Sequence, residues 1–421
     1  MFLSFIPILS IVLLAFVLRA LFNYHRGPAF TPSLDHVGTS RQHLRHLHKV
    51  HGPVVRVGPK EVSINSVDGY YKVHGVGSHC LKAPVFDHIR FSHSSMLFTM
   101  RDPRIHSERK RDHCQAVANI KKEAEKGQAD VYKWWRCLAV DVVSEMSFGK
   151  SFNLLHSGGK AVLPRRLISL FKWSPIAWLR DVGQVTETIF NRVTSALGEL
   201  RVSSNCGPSI ARHLLSQEVK GKKPSLNDDE LSSEVSMLLV AGSDSTATTL
   251  AYATWQIVRD PDLRKQIEEE DVEGLPLLNS ALEEVLRMHN PAAALVERLV
   301  PPSGISVHDW DIPGGTMVYT TGWLISRLED AGAITNLRRF DATRFLNPTP
   351  EMKRAHVPFN IGARRCVGMH VARMEILVTL AMLFRECRGL QLHHGMTDEM
   401  MTQVGEFFIV PRAGRCDLSV S

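Results

Sequence analysis

The sequence has no Cys-x-x-Cys pair and no regular cysteine spacing. Its seven cysteines (Cys80, Cys114, Cys137, Cys206, Cys366, Cys387 and Cys416) are odd in number and scattered. Neither a zinc site nor a disulfide framework is therefore indicated. No Asn-x-Ser/Thr sequon with a permitted middle residue occurs either, and both absences suit a domain in the reducing cytosol. There is no dense Lys/Arg tract with interleaved aromatics, and a formal charge of +7 is mild for 421 residues. That sets nucleic acid aside as a partner, while a positive surface still attracts an acidic protein or anionic lipid. Internal repeats and low-complexity tracts are absent. "GVGSHC" at Gly75 lacks the third glycine and the strand-to-helix setting of a dinucleotide loop. What remains, 44% hydrophobic and 22% charged, is the composition of a folded globular chain.

The N-terminus adds something else. "MFLSFIPILSIVLLAFVL" is apolar for 18 residues before Arg19, the short end of a bilayer-spanning helix. Ala20, Leu21 and Phe22 extend it if Arg19 snorkels. There is no charged n-region and no small-x-small cleavage site, which favours a retained anchor over residues 1–22 rather than a cleaved signal. Arg19, His25 and Arg26 follow it, and the positive-inside rule then places residues 23–421 in the cytosol. "GPVVRVGPKEVSIN" alternates apolar and polar residues between Gly-Pro breaks, a strand-turn-strand signal. From about Asp102 to Trp255 the pattern is helical. Its longest helix opens at Asn227 or Asp228 and ends before Pro261. "LNSALEEVLRMHNP" is a further helix stopped by Pro291, and "ISVHDWDIPGGTMVYTTGW" reads as short strands around a Pro-Gly-Gly turn. A last helix carries Val371, Met374, Val378 and Ala381 as its apolar positions. The body is thus mainly α with a minor β portion. "HLRHLHKVH" clusters His43, His46, His48 and His51, but Leu44, Leu47 and Val50 give it an apolar seam. An amphipathic helix accounts for it better than a metal site.

The chemistry concentrates in "PFNIGARRCVG", Pro358 to Gly368. Gly362 and Gly368 permit conformations or close approaches that a Cβ would block. A cysteine at a helix start has its thiolate favoured by orphan N–H groups and the dipole. Arg364 adds positive charge able to hold a carboxylate, and Phe359 adds an apolar wall. Together they describe a thiolate offered from a tight turn to a flat, anionic partner. A single Gly-x-Arg or a lone cysteine is weak, whereas the full spacing Phe-x-x-Gly-x-Arg-x-Cys-x-Gly is specific.

On these residues the chain resembles the cytochrome P-450 family of haem-thiolate monooxygenases. The resemblance implies a cytochrome P-450-like fold binding haem b (iron protoporphyrin IX), with Cys366 as the axial iron ligand. Phe359, Gly362, Arg364 and Gly368 then line the cofactor. His106 and Lys110 in "HSERK", with lysine where the family has arginine, and Arg298 in "LVERLVP" become propionate partners. Glu284 and Arg287 match Glu-x-x-Arg and, with Arg344 of "FDATRF", imply a buried structural network. Ala342 stands where the family has proline. "AGSDST" in the long helix implies the oxygen-binding groove: Gly242 leaves room for dioxygen, while Asp244 and Ser245, with Thr246 beside it, relay protons. Serine there keeps the family's hydroxyl but lacks the methyl that restricts its rotamer.

The likeness spans the chain and has the flavour of fungal membrane-bound members of secondary metabolism. It is shortened around residues 155–200 and 265–280. It implies insertion of one oxygen atom from O2 into a lipophilic small molecule, in the endoplasmic reticulum membrane with the catalytic domain facing the cytosol. Electrons would come from a separate NADPH-dependent reductase, since no flavin or nicotinamide motif is present. Pocket walls are expected from Val85 to Met100, Val240, Ala241, Ala292 to Val296, Phe407 and Phe408. Two other readings stay open: a haem-thiolate isomerase or dehydratase without O2 activation, and a degenerate non-catalytic haem protein.

Overall fold

A computed structural model describes residues 40–58, 61–75, 80–82, 106–158, 193–201, 209–219, 227–270, 275–292, 296–328, 336–405 and 408–420. The N-terminal apolar run lies outside them. Among the described residues no helix is long and apolar enough to cross a membrane. They divide between two compact units. One is drawn from the chain before residue 87 and from 293–337 and 349–365, and the other holds the rest.

The first unit is built on a sheet. Helix α1 (Ser40–His51) is the histidine-rich segment, and it buries Leu44 and Leu47 as its periodicity dictates. Val50 does not join them: it is 60% exposed, and His48 takes the inner position. Val50 lies six residues from Leu44, about 120° round the helix, whereas His48 is one turn away. His48 bonds to Ser63 Oγ at 2.8 Å and to the Gly52 carbonyl at 2.9 Å, a satisfied core histidine rather than a ligand. Strands β1 (Val54–Gly58) and β2 (Glu61–Ile64) pair antiparallel, as the alternation predicts. Helix α2 (Val67–His74) follows, with Ser66 Oγ accepting from the Gly69 N–H. Strands β3 (Leu81–Lys82), β4 (Val296–Leu299) and β5 (Met317–Thr320) complete a five-stranded sheet ordered β1-β2-β5-β4-β3. Ile305–Val307 and Trp310–Ile312 form a separate hairpin whose turn is His308-Asp309, not the Pro-Gly-Gly. His308 adopts φ 52° there, and Gly314 and Gly315 serve the connection to β5.

The second unit is helical. Helices α3 (His106–Ala124), α4 (Val131–Phe148), α5 (Ile210–Val219), α6 (Asp228–Val258), α7 (Pro261–Glu269), α8 (Pro276–Met288) and α9 (Met369–Glu386) make its body. Asp130 caps α4, and Gly149 ends it in the left-handed conformation at φ 72°. Asn227, not Asp228, caps α6 in a reciprocal box with Glu230. Asp228, Asp229 and Glu230 favour that positive helix end. The link between α7 and α8 is closed by Glu270, whose carboxylate accepts from the Leu277 and Leu278 N–H groups at 2.6 and 3.1 Å. That satisfies donors which Leu275, at the cap position without a side-chain bond, leaves open. Helix α9 forms as expected, and Ile376, Leu380, Leu383 and Phe384 are its buried apolar residues, with Glu375 and Thr379. Val371, Met374, Val378 and Ala381 are only half-buried. Both stripes are apolar at helical spacing, so periodicity does not choose between them.

Candidate functional site

Cys366 sits where a turn feeds α9. The helix begins at Met369 with Gly368 as its cap and no side-chain capping bond, so orphan N–H groups are free to serve the sulfur. Those of Gly368 and Met369 do so. Packing around the sulfur pushes the thiol up, and these two hydrogen bonds pull it back. The residue itself is exposed. Among the described residues no cluster of three or more His, Cys, Asp or Glu could hold a bare ion. A metal held on this lone sulfur would bring its other ligands with it.

In the first unit, the chain leading to Cys366 is pinned. Asn360 takes φ 62°, and its Oδ1 accepts from Tyr70 Oη at 2.8 Å and from the Ile361 N–H at 2.7 Å. Gly362 takes φ 70°, and a Cβ there would lie 2.0 Å from the His74 carbonyl oxygen. Only glycine fits that approach. Arg364, at the end of a 3-10 turn, is exposed, and Phe359 is half-buried. Arg298 on β4 is 3% exposed. Its Nη1 donates to the Glu297 carbonyl at 2.8 Å. Burial and Arg364 push its pKa down while Tyr70 pulls it up, with burial the largest cause. No carboxylate among the described residues pairs with it. A buried guanidinium without a counter-ion is costly, so its surroundings suit an anion brought from outside.

In the second unit, α6 shows how "AGSDST" is disposed. Ala241 and Ser245, one turn apart, lie on its more open face, and Ser245 Oγ donates to the Ala241 carbonyl at 2.6 Å. Thr246, about 100° further round, is 3% exposed and sits in the core. The structure therefore separates the two hydroxyls. Gly242 also departs from expectation. Its missing Cβ is taken up by helix packing, since an added one would lie 2.7 Å from Val143 Cγ2 of α4. Asp244 is paired with Arg136 of α4, Oδ1 to Nε at 3.7 Å, both about a third exposed on the side chain.

In the same unit, Glu284 and Arg287 of α8 are fully buried. Arg287 donates from Nε to Glu284 Oε2 at 2.6 Å and from Nη2 to Oε1 at 2.8 Å. Arg344 Nε reaches Oε1 at 3.0 Å and the Asp341 N–H reaches it at 3.3 Å. One carboxylate therefore fixes the 338–348 loop onto α8, and Ala342 is buried in that loop without disturbing it.

A model of the Cytochrome P450 family matches residues 105–414 of this sequence. The chain belongs to the cytochrome P450 family. Cytochrome P450 monooxygenase stcB of Emericella nidulans is 29% identical, covering 91% of this chain and 84% of its own length. Cytochrome P450 monooxygenase tazI of Aspergillus terreus is 29% identical over 91% and 89%. Tryprostatin B 6-hydroxylase of Neosartorya fischeri is 28% identical over 86% and 72%. The fold is similar to that of retinoic acid bound cyanobacterial CYP120A1, with TM-score 0.72 and 17% identity over 93% of this chain and 99% of that one. A mainly helical P450 fold with some strands is thus shown, and haem is its cofactor.

The residues present fit that group. In the second unit Cys366 offers one sulfur to an iron whose other ligands arrive with it, and in the first unit the buried Arg298 guanidinium suits an anionic group. Of the remaining sequence-derived positions in this P450, His106 and Lys110 lie one turn apart on α3, their side chains outside the described residues. Residues 85–100, 293–295 and Phe407 also lie outside them. Sequence reasoning missed Tyr70, His74 and Arg136. No local pattern marks them, since each acts on a residue far along the chain, although Asn360 lay inside the quoted motif.

Proposed function

We propose that this P450 is a monooxygenase of fungal secondary metabolism that inserts one oxygen atom from O2 into a lipophilic small molecule. The observation that carries the reading is Cys366, held by the Gly368 and Met369 N–H groups at the start of α9. Relatives named as monooxygenases and a hydroxylase support it. Haem, when bound, supplies the activation of O2. The chain's own part is to ligate, neutralise and deliver protons. Cys366 provides the thiolate, and Arg298 and Arg364 offset carboxylate charge. Ser245 holds its hydroxyl proton on the Ala241 carbonyl at the open face of α6. Asp244, partly exposed and tethered to Arg136, is placed to take protons from water. Val240, Ala241 and Phe408 supply apolar surface, as a small-molecule site needs.

The electron donor in this reading is a separate NADPH-dependent reductase. The apolar run over residues 1–22 anchors the chain in the endoplasmic reticulum membrane with the catalytic domain in the cytosol. The test uses microsomes containing this chain and the reductase, given 18O2 and a library of lipophilic aromatic compounds. Products should gain a single 18O atom only when NADPH is present. Conversion of a hydroperoxide without NADPH, and no labelled product, would instead favour isomerase chemistry. In the same assay Ser245→Ala should lower product formed per NADPH on the order of tenfold, with peroxide rising. Unchanged coupling would remove Ser245 from proton delivery.

A further inference from the structure

The surroundings of Arg298 hold one more polar group than the site described above uses. His74, the last residue of α2, is 5% exposed, and its Nδ1 has no hydrogen-bond partner among the described residues. Buried polar atoms are rarely left so. Its other ring nitrogen, Nε2, is bonded to Thr320 Oγ1 at the end of β5. The ring rests on Tyr70 with centroids 4.7 Å apart, so its orientation is fixed from two sides. Its backbone carbonyl is the atom against which Gly362 closes. The residue therefore stands between the strand pair that carries Arg298 and the turn that leads to the cysteine.

We propose that His74 is a further cofactor-holding residue, its Nδ1–H donating to the haem carboxylate that Arg298 neutralises. The inference rests on the haem-thiolate reading. A neutral imidazole carries one N–H and one acceptor nitrogen. When the Thr320 hydroxyl donates to Nε2, the proton resides on Nδ1 and faces no acceptor among the described residues. Burial and the Arg298 charge push the ring pKa down to about 3, so it stays neutral through the working pH range. Neutrality matters here: Arg298 and Arg364 already repel one another, and a third cation would raise that repulsion. A neutral donor adds a hydrogen bond to the anion without it.

The test measures haem loss from the ferric holoprotein to apomyoglobin, for wild type, His74→Phe, His74→Gln and Arg298→Ala. Phenylalanine keeps the ring packing and removes the donor, whereas glutamine restores an N–H donor. His74→Phe should release haem about tenfold faster than wild type, the size of one hydrogen bond to a charged group. His74→Gln should stay near wild type and Arg298→Ala should be the fastest. The proposal is overturned if His74→Phe releases haem at the wild-type rate while Arg298→Ala is fast, which leaves the haem reading intact. It is equally overturned if His74→Gln is as fast as His74→Phe, because ring packing alone would then be at stake. Wild-type protein that never acquires haem would overturn both.

Discussion

Glu284→Gln is expected to lower stability by about 3–5 kcal/mol, the cost of breaking a buried ion pair from one side. Glu284 and Arg287 are fully buried, and Arg344 is nearly so, with both guanidinium groups sharing this carboxylate. Glutamine keeps the shape and part of the hydrogen bonding but removes the charge that offsets two buried cations. The loss reaches further than a pair. Glu284 Oε1 also accepts from the Asp341 N–H, and Ser280 Oγ one turn earlier accepts from the Phe345 N–H. The loop 338–348 thus loses the ionic part of its attachment to α8, and the Ser280 bond alone does not replace it. Chemical denaturation should show a lower midpoint, and expression should yield less haem-loaded protein. A midpoint equal to wild type would mean that the network is incidental to the fold.

Gly362→Ala is expected to have the second large effect, at a different link of the chain. The backbone stands at φ 70°, which costs a residue bearing a Cβ about 1–2 kcal/mol. The methyl would also lie 2.0 Å from the His74 carbonyl oxygen, a backbone atom that cannot rotate away. Relief requires the turn to move off α2. That disturbs the Asn360–Tyr70 bond just upstream and the placement of Cys366 four residues later. Haem content per folded chain should fall severalfold while the far-ultraviolet circular dichroism stays helical. Full haem occupancy in this variant would show that the close approach is dispensable.

Features whose chemistry needs neighbouring residues were legible in the sequence. The Cys366 loop, the Glu-x-x-Arg pair and the capping signal at Asn227 all act within a few positions. The strand pair β1–β2 followed from alternation for the same reason. What escaped was set by tertiary packing. Tyr70 and Asn360 lie 290 positions apart, and nothing near either announces the bond. Gly242 was read as room for dioxygen, but whether a missing Cβ faces a ligand or a helix depends on where α4 lies. Val50 and the α9 stripe fit helical periodicity, yet His48 and the Ile376–Phe384 face were preferred because their neighbours could satisfy or cover them. Thr246 shows the same limit: one residue separates an open face from the core, and only the packed helix assigns them.

The central claim is that Cys366 ligates haem iron through its thiolate. The most direct measurement is the reduced carbon monoxide difference spectrum of the full chain in microsomes, beside that of Cys366→Ala. Wild type should give the strongly red-shifted Soret band of thiolate-ligated haem, and Cys366→Ala should lose it. A wild-type spectrum without that band, or its persistence in Cys366→Ala, would contradict the account.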